Sequence, residues 1–389
     1  MHNFLLTTDD FQEILSSLLL AELPYAARMQ FTEGASLTPA FVPTTQLLPN
    51  LAEISSKVSA MFHTPTPHTL GACSLRQWAE ALHEDWGNEK QDITFFTSGS
   101  TGEPTPATQA FANHEQEVTA LAEIFHERKR VVSFVPRHHI YGFLFSILLP
   151  KALGVEVKWA VPIPTPGLTE SLQKDDLIVA FPLFWEKLKE MKIQFSRDLY
   201  GVTSTGPCPA ETIHALKQNG LKRIYEIYGS SETGGVGYRK DPTSGYTLLP
   251  FWARTDDESC LQRTNSNHGN QEYALQDILN WNDATTFTPM RRTDNAVQVA
   301  GINVYPSHVR KILLEHPSIA DCAIRLMRPK EGTRLKALII LNDKDSDLTH
   351  LEFSIRKWAK SRLSPYELPA AWTFKDEIST NTLGKAQDW

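Results

Sequence analysis

Four short segments of this chain concentrate residues suited to handling a polyphosphate. The first, Thr97-Ser98-Gly99-Ser100-Thr101-Gly102-Glu103-Pro104, follows the apolar run Ile93-Thr94-Phe95-Phe96. Glycine permits positive φ and close backbone approach, and Ser and Thr hydroxyls add donors, as a loop wrapped around phosphate oxygens requires. The spacing is neither that of a Walker A loop nor that of the dinucleotide-binding glycine fingerprint. The second, Tyr225-Glu226-Ile227-Tyr228-Gly229-Ser230-Ser231-Glu232-Thr233-Gly234-Gly235, again runs from an apolar stretch into a glycine-rich turn. An aromatic ring can stack on a base, a hydroxyl can reach a phosphate, and a carboxylate can hold Mg²⁺. The third runs from Asp277 through Arg292 and Asp294 to Gly301-Ile302-Asn303-Val304-Tyr305-Pro306, and the fourth is Thr380-Asn381-Thr382-Leu383-Gly384-Lys385. Taken singly, each is equally consistent with an ordinary polar turn or a solvated tail.

In this order the four segments together resemble the adenylate-forming superfamily of acyl- and aryl-CoA synthetases, peptide-synthetase adenylation domains and luciferases. TSGSTGEP resembles its phosphate loop, YGSSETGG its adenine and magnesium motif, RRTDNAVQVAGINVYP its hinge motif and the terminal TLGK its catalytic-lysine motif. His139-Ile140-Tyr141-Gly142 is similar to its HIYG segment, and Ser204-Thr205-Gly206-Pro207 stands where its S-G-A-P turn is expected. The resemblance implies that Thr97, Ser98, Gly99, Ser100, Thr101 and Gly102 embrace the β- and γ-phosphates of ATP. Tyr228, with Gly229 and Gly206 beside it, is then expected against adenine, and Ser231 at the α-phosphate. It makes Glu232 the Mg²⁺ ligand, Asp277 the acceptor of both ribose hydroxyls, and Arg292 a neighbour of the same sugar and phosphate. His139 lies with the acid, Asp294 is the hinge, and Lys385 bridges the reacting carboxylate and the α-phosphate.

The implied activity is an AMP-forming acid–thiol ligase. A carboxylate attacking a phosphate brings two anions together, so positioning and positive charge must supply most of the rate. Mg²⁺ on Glu232 and the Lys385 ammonium suit that task. The acyl adenylate then passes to a thiol, with CoA expected ahead of the phosphopantetheine of a carrier protein, or an amine. A non-catalytic adenylate-binding module is the reading from another class. The acid is expected to be a planar aryl or arylacrylic one, because Tyr141, Phe143, Phe181, Phe184 and Tyr228 supply aromatic surface near the implied acyl pocket. A basic patch in the second domain, Arg310, Lys311, Arg325, Arg328 and Lys330, is a candidate to meet CoA or a carrier protein. Three departures stand out: Thr105-Pro106 replaces the usual Lys after the phosphate-loop proline, Arg291 replaces a Gly, and the region before the loop is short. That shortness resembles the compact 4-coumarate-CoA-ligase-like members and implies a reduced first subdomain.

Positioning these segments demands strands that end in turns. Val131–Val135, Leu177–Ala180, Gly201–Ser204 and Arg223–Tyr228 read as strands, with amphipathic helices at Glu115–Glu127 and Ala210–Asn219. Such alternation predicts a layered α/β fold. The first 88 residues read as mostly helical, opening with a helix capped near Thr8 or Asp9. The polar stretch Asp256–Gly269 reads as an exposed hairpin or loop. Beyond Asp294, a strand at Val297–Val304 is followed by a helix (His308–Glu315), two strands (Ala320–Met327, Ala337–Leu341) and a second helix (Leu351–Arg362), a compact α+β unit. The expected domains are residues 1–293, an α/β adenylation core, and 294–389, a small mobile lid carrying the lysine. At 389 residues the chain exceeds one ordinary core. Its net charge of −7 argues against nucleic-acid binding, and no apolar run is long enough to span a bilayer. Cys73, Cys208, Cys260 and Cys322 are far apart in sequence, matching neither a zinc site nor a disulfide framework, so a cytoplasmic setting is expected.

Overall fold

The computed structural model describes residues 4–33, 35–64, 73–87, 91–98, 104–165, 167–265, 269–299, 302–328, 331–342 and 348–377. It divides into two compact units. One comprises residues 1–96 and 106–290, the other residues 97–105 and 291–389.

The first unit is built on a nine-stranded sheet. In spatial order its strands are Asp277–Trp281, Thr286–Arg292, Tyr246–Leu248, Gly234–Arg239, Arg223–Ser230, Tyr200–Thr203, Asp176–Ala180, Arg130–Ser133 and Glu156–Trp159. The last five in that order are parallel, and Gly234–Arg239 turns back antiparallel on Arg223–Ser230. Successive residues of the parallel strands alternate between two apolar layers, as the strand period requires. Val131, Leu177, Val179 and Val202 pack with Val118, Leu121 and Phe125 of the helix Phe111–Phe125. On the other face, Val132, Ile178, Ala180 and Ile224 pack with Trp185 and Leu188 of the helix Pro182–Glu190 and Ile213 and Leu216 of the helix Ala210–Gln218. Both faces are covered by helices, the α/β layering that the sequence predicts.

The first helix, Thr8–Glu22, is capped one residue before the expected Thr8 or Asp9. Thr7 is the N-cap, because its hydroxyl meets the Asp10 N–H while the Asp10 carboxylate accepts the Thr7 N–H at 2.6 Å. Phe11, Ile14, Leu15 and Leu19 then form one buried stripe. Ile93 and Phe95 lie in a strand, Asp92–Ser98, that among the described residues pairs with Pro104–Ala110 as a separate two-stranded ribbon. The stretch Asp256–Gly269, read as an exposed hairpin or loop, does supply a hairpin arm, Cys260–Asn265 pairing antiparallel with Gly269–Ala274, but that arm is partly buried. Cys260–Asn265 is the central strand of a three-stranded sheet, with Leu261 and Arg263 buried on one face two residues apart.

The second unit holds a three-stranded sheet, Ile319–Leu326 antiparallel to Leu335–Leu341, which is parallel to Ala371–Phe374. The helices Pro306–Leu314 and Leu348–Lys360 complete it, with Val309, Leu313, Leu335, Ile339 and Ile355 buried together. The single strand expected at 297–304 is two short strands, Val297–Val299 paired antiparallel with Ile302–Val304. No helix among the described residues is long and apolar enough to cross a membrane.

Candidate active site

Tyr228 and Asp277 lie far apart in sequence, but the sheet brings them together. The Tyr228 hydroxyl donates to Asp277 Oδ2 at 2.7 Å. Tyr228 stands near the carboxyl end of Arg223–Ser230, its ring wedged edge-on against Phe287 and tilted against Tyr246, while Asp277 opens its own strand. A small cleft is lined by Tyr228, Gly229, Ser230, Thr233, Gln276 and Asp277. Clefts beyond the carboxyl ends of parallel strands are where α/β sheets receive ligands.

The turn from Ser230 to Gly234 holds Ser231 and Glu232 half-buried at its tip. Its ends are tied by Ser230 and Thr233, each side-chain hydroxyl accepting the other's backbone N–H at 3.2 Å. Gly229 is required by close approach, since a Cβ there would lie 2.2 Å from the Gly234 carbonyl oxygen. Gly234 has φ +72°, which favours glycine.

Behind this turn sits a buried polar frame that the sequence reading missed. Glu117 Oε1 accepts the Gly235 N–H at 2.9 Å, and Arg263 donates to the Thr233 carbonyl at 3.1 Å. Arg263 also donates to the Asn113 carbonyl at 2.6 Å and to Gln116 Oε1 at 2.9 Å. The Gln109 amide donates to the Ser231 carbonyl at 2.5 Å, and the Trp252 indole to the Gly235 carbonyl at 2.7 Å. Burial pushes the Glu117 carboxyl's pKa up, against the opposing pull of Arg263 and the Gly235 N–H. Burial in turn lowers the Arg263 pKa, against the pull of Glu117. His114, buried beside Phe95 and Phe143, is held to about 3 by burial and then by Arg263, so its ring is neutral. A signal for these residues existed. Glu117 is an acid on the buried stripe shared by His114, Val118 and Leu121, and Arg263 has the same strand parity as Leu261.

Other site residues collect at the carboxyl ends of neighbouring strands. Ser204 donates to the Ile227 carbonyl at 3.0 Å, linking the Ser204–Pro207 turn to the Tyr228 strand. Gly206 is half-buried, and Thr205 has φ +74°, an outlier for a β-branched residue. His139 is solvent-exposed, yet enough protein surrounds it for desolvation to lower its pKa. It caps the short helix Ile140–Phe143. Gly142 is obligatory there, because a Cβ would fall 1.9 Å from the Pro136 carbonyl oxygen. The neighbouring backbone is strapped to the first helix: Ser17 Oγ accepts the Arg137 N–H and shares a hydrogen bond with His138 Nδ1, both at 2.9 Å.

The aromatic lining expected for the acyl pocket is largely core. Phe143 and Phe184 are fully buried, and Tyr141 is spent donating to the Ala180 and Val202 carbonyls at 2.9 and 3.0 Å. Large rings beside a buried sheet fill its apolar layers first. Phe181 and Tyr228 are the two that remain half-buried.

In the second unit Arg292 grips Asp294 through two hydrogen bonds, at 2.8 and 2.7 Å. That guanidinium, aided by the Ala296 N–H and the Tyr305 hydroxyl, holds the Asp294 carboxyl at a pKa of about 2. Arg310 and Arg325 of the expected basic patch are paired with Asp321 and Glu331, and Lys330 lies outside the described residues. Thr97 and Ser98 close the strand Asp92–Ser98. Gly99, Ser100, Thr101, Gly102 and Lys385 lie outside the described residues.

Mg²⁺ commonly binds through one or two carboxylates, completing its shell with phosphates and water. Glu232, a half-buried carboxylate at the turn's tip, suits that role. No cluster of three or more His, Cys, Asp or Glu suited to a metal ion is found among the described residues.

Comparison with known proteins agrees with this architecture. The family described as AMP-binding enzyme matches residues 41–255, and its C-terminal domain matches residues 309–385. A 4-coumarate–CoA ligase of Cereibacter sphaeroides is 35% identical over 349 residues, 87% of this chain and 82% of the relative. The 4-coumarate–CoA ligase of Halorhodospira halophila is 35% identical over 79% of this chain and 78% of its own. Among solved structures, an o-succinylbenzoate CoA synthetase from Bacillus subtilis shares the fold with a TM-score of 0.61 at 18% identity, covering 75% of this chain and 67% of that one. A chain with this sheet, this glycine turn and this extent of similarity belongs to the AMP-binding enzyme family.

Proposed function

We propose that this protein activates an aryl or arylacrylic acid with ATP and transfers the acyl group to CoA. The observation that carries the reading is the Tyr228–Asp277 pair beside the Ser231-Glu232 turn, in a chain similar along most of its length to 4-coumarate–CoA ligases. In the first half-reaction a carboxylate oxygen of the acid bonds to the α-phosphorus, and the bond to the β-phosphate's bridging oxygen breaks. Pyrophosphate leaves and the acyl adenylate remains. In the second, the CoA thiol loses its proton, its sulfur bonds to the acyl carbon, and AMP departs.

Each residue's part follows from its chemistry. The Tyr228 ring supplies a face for adenine, and Asp277 accepts from the ribose hydroxyls, exchanging its present bond to Tyr228 for them. Ser231 donates to the α-phosphate. Glu232 would hold Mg²⁺, which would supply positive charge against the negative phosphates. The Thr97–Gly102 loop takes the β- and γ-phosphates, with Arg292 beside the sugar. Lys385 bridges the two reacting anions, His139 faces the acid, and Asp294 serves as the hinge between half-reactions. Residues 1–293 are thus the adenylation core and 294–389 the lid.

Acid-dependent ATP–pyrophosphate exchange, followed by AMP release with and without CoA across a panel of aryl and fatty acids, tests the proposal. The expected result is exchange with a hydroxycinnamate or hydroxybenzoate and CoA-dependent turnover. Absence of exchange with every acid overturns the enzyme reading. Turnover confined to C12–C18 acids overturns the aryl reading. Adenylate formation without CoA turnover moves the acceptor to a carrier-protein phosphopantetheine or an amine.

A further inference from the structure

The buried frame behind the Ser230–Gly235 turn goes beyond what its packing needs. Besides the Trp252 indole on the Gly235 carbonyl, three side chains from elsewhere in the fold grip the backbone of this turn. Gln109 holds the Ser231 carbonyl, Arg263 the Thr233 carbonyl and Glu117 the Gly235 N–H. The two carbonyls flank Glu232 on either side. Gln109 and Glu117 come from the segment after the phosphate loop, Arg263 from the separate three-stranded sheet. All three are almost wholly inaccessible to solvent.

Burying opposite charges is costly, and such a pair rarely stabilises a fold more than an apolar replacement of the same shape. The better-attested return is a single fixed geometry. The motif's own sequence records that geometry. A Cβ on Gly234 would lie 2.5 Å from Glu117 Oε2, and one on Gly235 2.4 Å from Glu117 Oε1. The Gly-Gly of the turn is therefore cut to admit the Glu117 carboxylate. Among the described residues, Glu117 Oε2 and Gln109 Oε1 find no hydrogen-bond partner.

We infer that Arg263, Glu117 and Gln109 are positioning residues that fix the Glu232 carboxylate and the Ser231 hydroxyl for adenylation. This rests on the proposed reading of Ser231 and Glu232. Arg263 is the central member, since it bonds both the turn and the Phe111–Phe125 helix, and its charge acts on Glu117. The consequence is specific: loosening the frame weakens Mg²⁺–ATP handling and the first half-reaction, and leaves acid binding nearly intact.

The test uses the full chain and ATP–pyrophosphate exchange with whichever acid the wild type accepts. Arg263→Lys keeps the buried charge but loses the forked donors. Gln109→Met keeps length and burial while removing the donor to Ser231. The expected result for Arg263→Lys is about a tenfold rise in the Mg²⁺ concentration for half-maximal exchange and a kcat lower by roughly 10- to 100-fold, at an unchanged KM for the acid. Gln109→Met should move the same two quantities by about three- to tenfold at a melting temperature close to wild type, which covers the case in which Arg263→Lys fails to fold. Glu117→Gln, which retains an acceptor for Gly235, should recover most of the activity that Glu117→Ala loses. A folded Arg263→Lys or Gln109→Met with wild-type Mg²⁺ dependence and kcat overturns the inference, as does an equal loss in acid binding. If the wild type itself exchanges with no acid, the functional reading has failed; if it exchanges and the variants match it, only the frame has.

Discussion

Replacing Gly235 by Ala tests the frame through stability alone. Gly235 is buried and has no positive φ, so the substitution carries no left-handed strain. The whole effect comes from the added methyl. It would lie 2.4 Å from Glu117 Oε1, 3.1 Å from its Cδ and 3.2 Å from Leu249 Cδ1. Ordinary contact begins near 3.4 Å, so the carboxylate must retreat by about 1 Å (3.4 − 2.4). That retreat carries the 2.9 Å bond to the Gly235 N–H past hydrogen-bonding range. Loss of a buried hydrogen bond to a charged group costs roughly 1.5–3 kcal/mol, and overpacking adds about 1–3 kcal/mol. The sum is about 2.5–6 kcal/mol.

Glu117→Asp offers the matching relief. Asp is shorter by one methylene and keeps the charge that balances Arg263, so the single variant should cost about 2 kcal/mol from the lost bond and the small gap. In that background the Gly235 methyl occupies vacated space. The double variant should therefore fall only about 2–3 kcal/mol below wild type, where simple addition would give about 4.5–8 kcal/mol. Urea unfolding of the four proteins, followed by tryptophan fluorescence, measures this coupling. Additivity within about 0.5 kcal/mol would refute the claim that the Gly-Gly pair is cut to fit Glu117.

Lys385→Ala should lower pyrophosphate exchange by roughly 10²- to 10³-fold at an unchanged melting temperature, since it removes the charge proposed to bridge the reacting anions; near-normal exchange would remove the lysine from the mechanism. Asp277→Ala should raise the KM for ATP by about 10- to 100-fold while leaving the KM for the acid in place, checked by steady-state kinetics. Asp294, held at a pKa of about 2 chiefly by Arg292, contributes stability that is full above the unfolded carboxylate value and fades as pH falls through about 2. Arg292→Ala should accordingly destabilise by about 1–2 kcal/mol at pH 7, and the gap from wild type should close between pH 5 and pH 2; a gap independent of pH would detach the Asp294 carboxylate from the effect.

The parallel strands were legible because their apolar runs are short, bounded by turns and too regular for exposed loops. Leu177 to Ala180 is an example, buried on both faces as a central strand demands. The glycine motifs were legible for a different reason. A glycine where an added Cβ would fall within 2 Å of another carbonyl oxygen leaves no alternative residue, as at Gly142, so the type itself reports the geometry. What the sequence concealed was polarity in the core. Glu117, Arg263 and Gln109 look like ordinary surface residues, because a side chain's charge is visible in the sequence and its partner's position is not. Asp256–Gly269 read as exposed for the same cause, its polar composition masking the burial of Arg263. The aromatics erred in the opposite direction: Phe143 and Phe184 suggested a pocket, and the apolar layers of the sheet took them instead. Both errors have one physical source. Residue type determines what a side chain can do at low cost, whereas the partners that topology delivers determine what it does. Glu117 is costly to bury alone, and it becomes usable only when the sheet containing Cys260–Asn265 delivers Arg263 to the same turn. The residues hardest to read from this sequence are therefore the ones whose contacts converge on the backbone flanking Glu232.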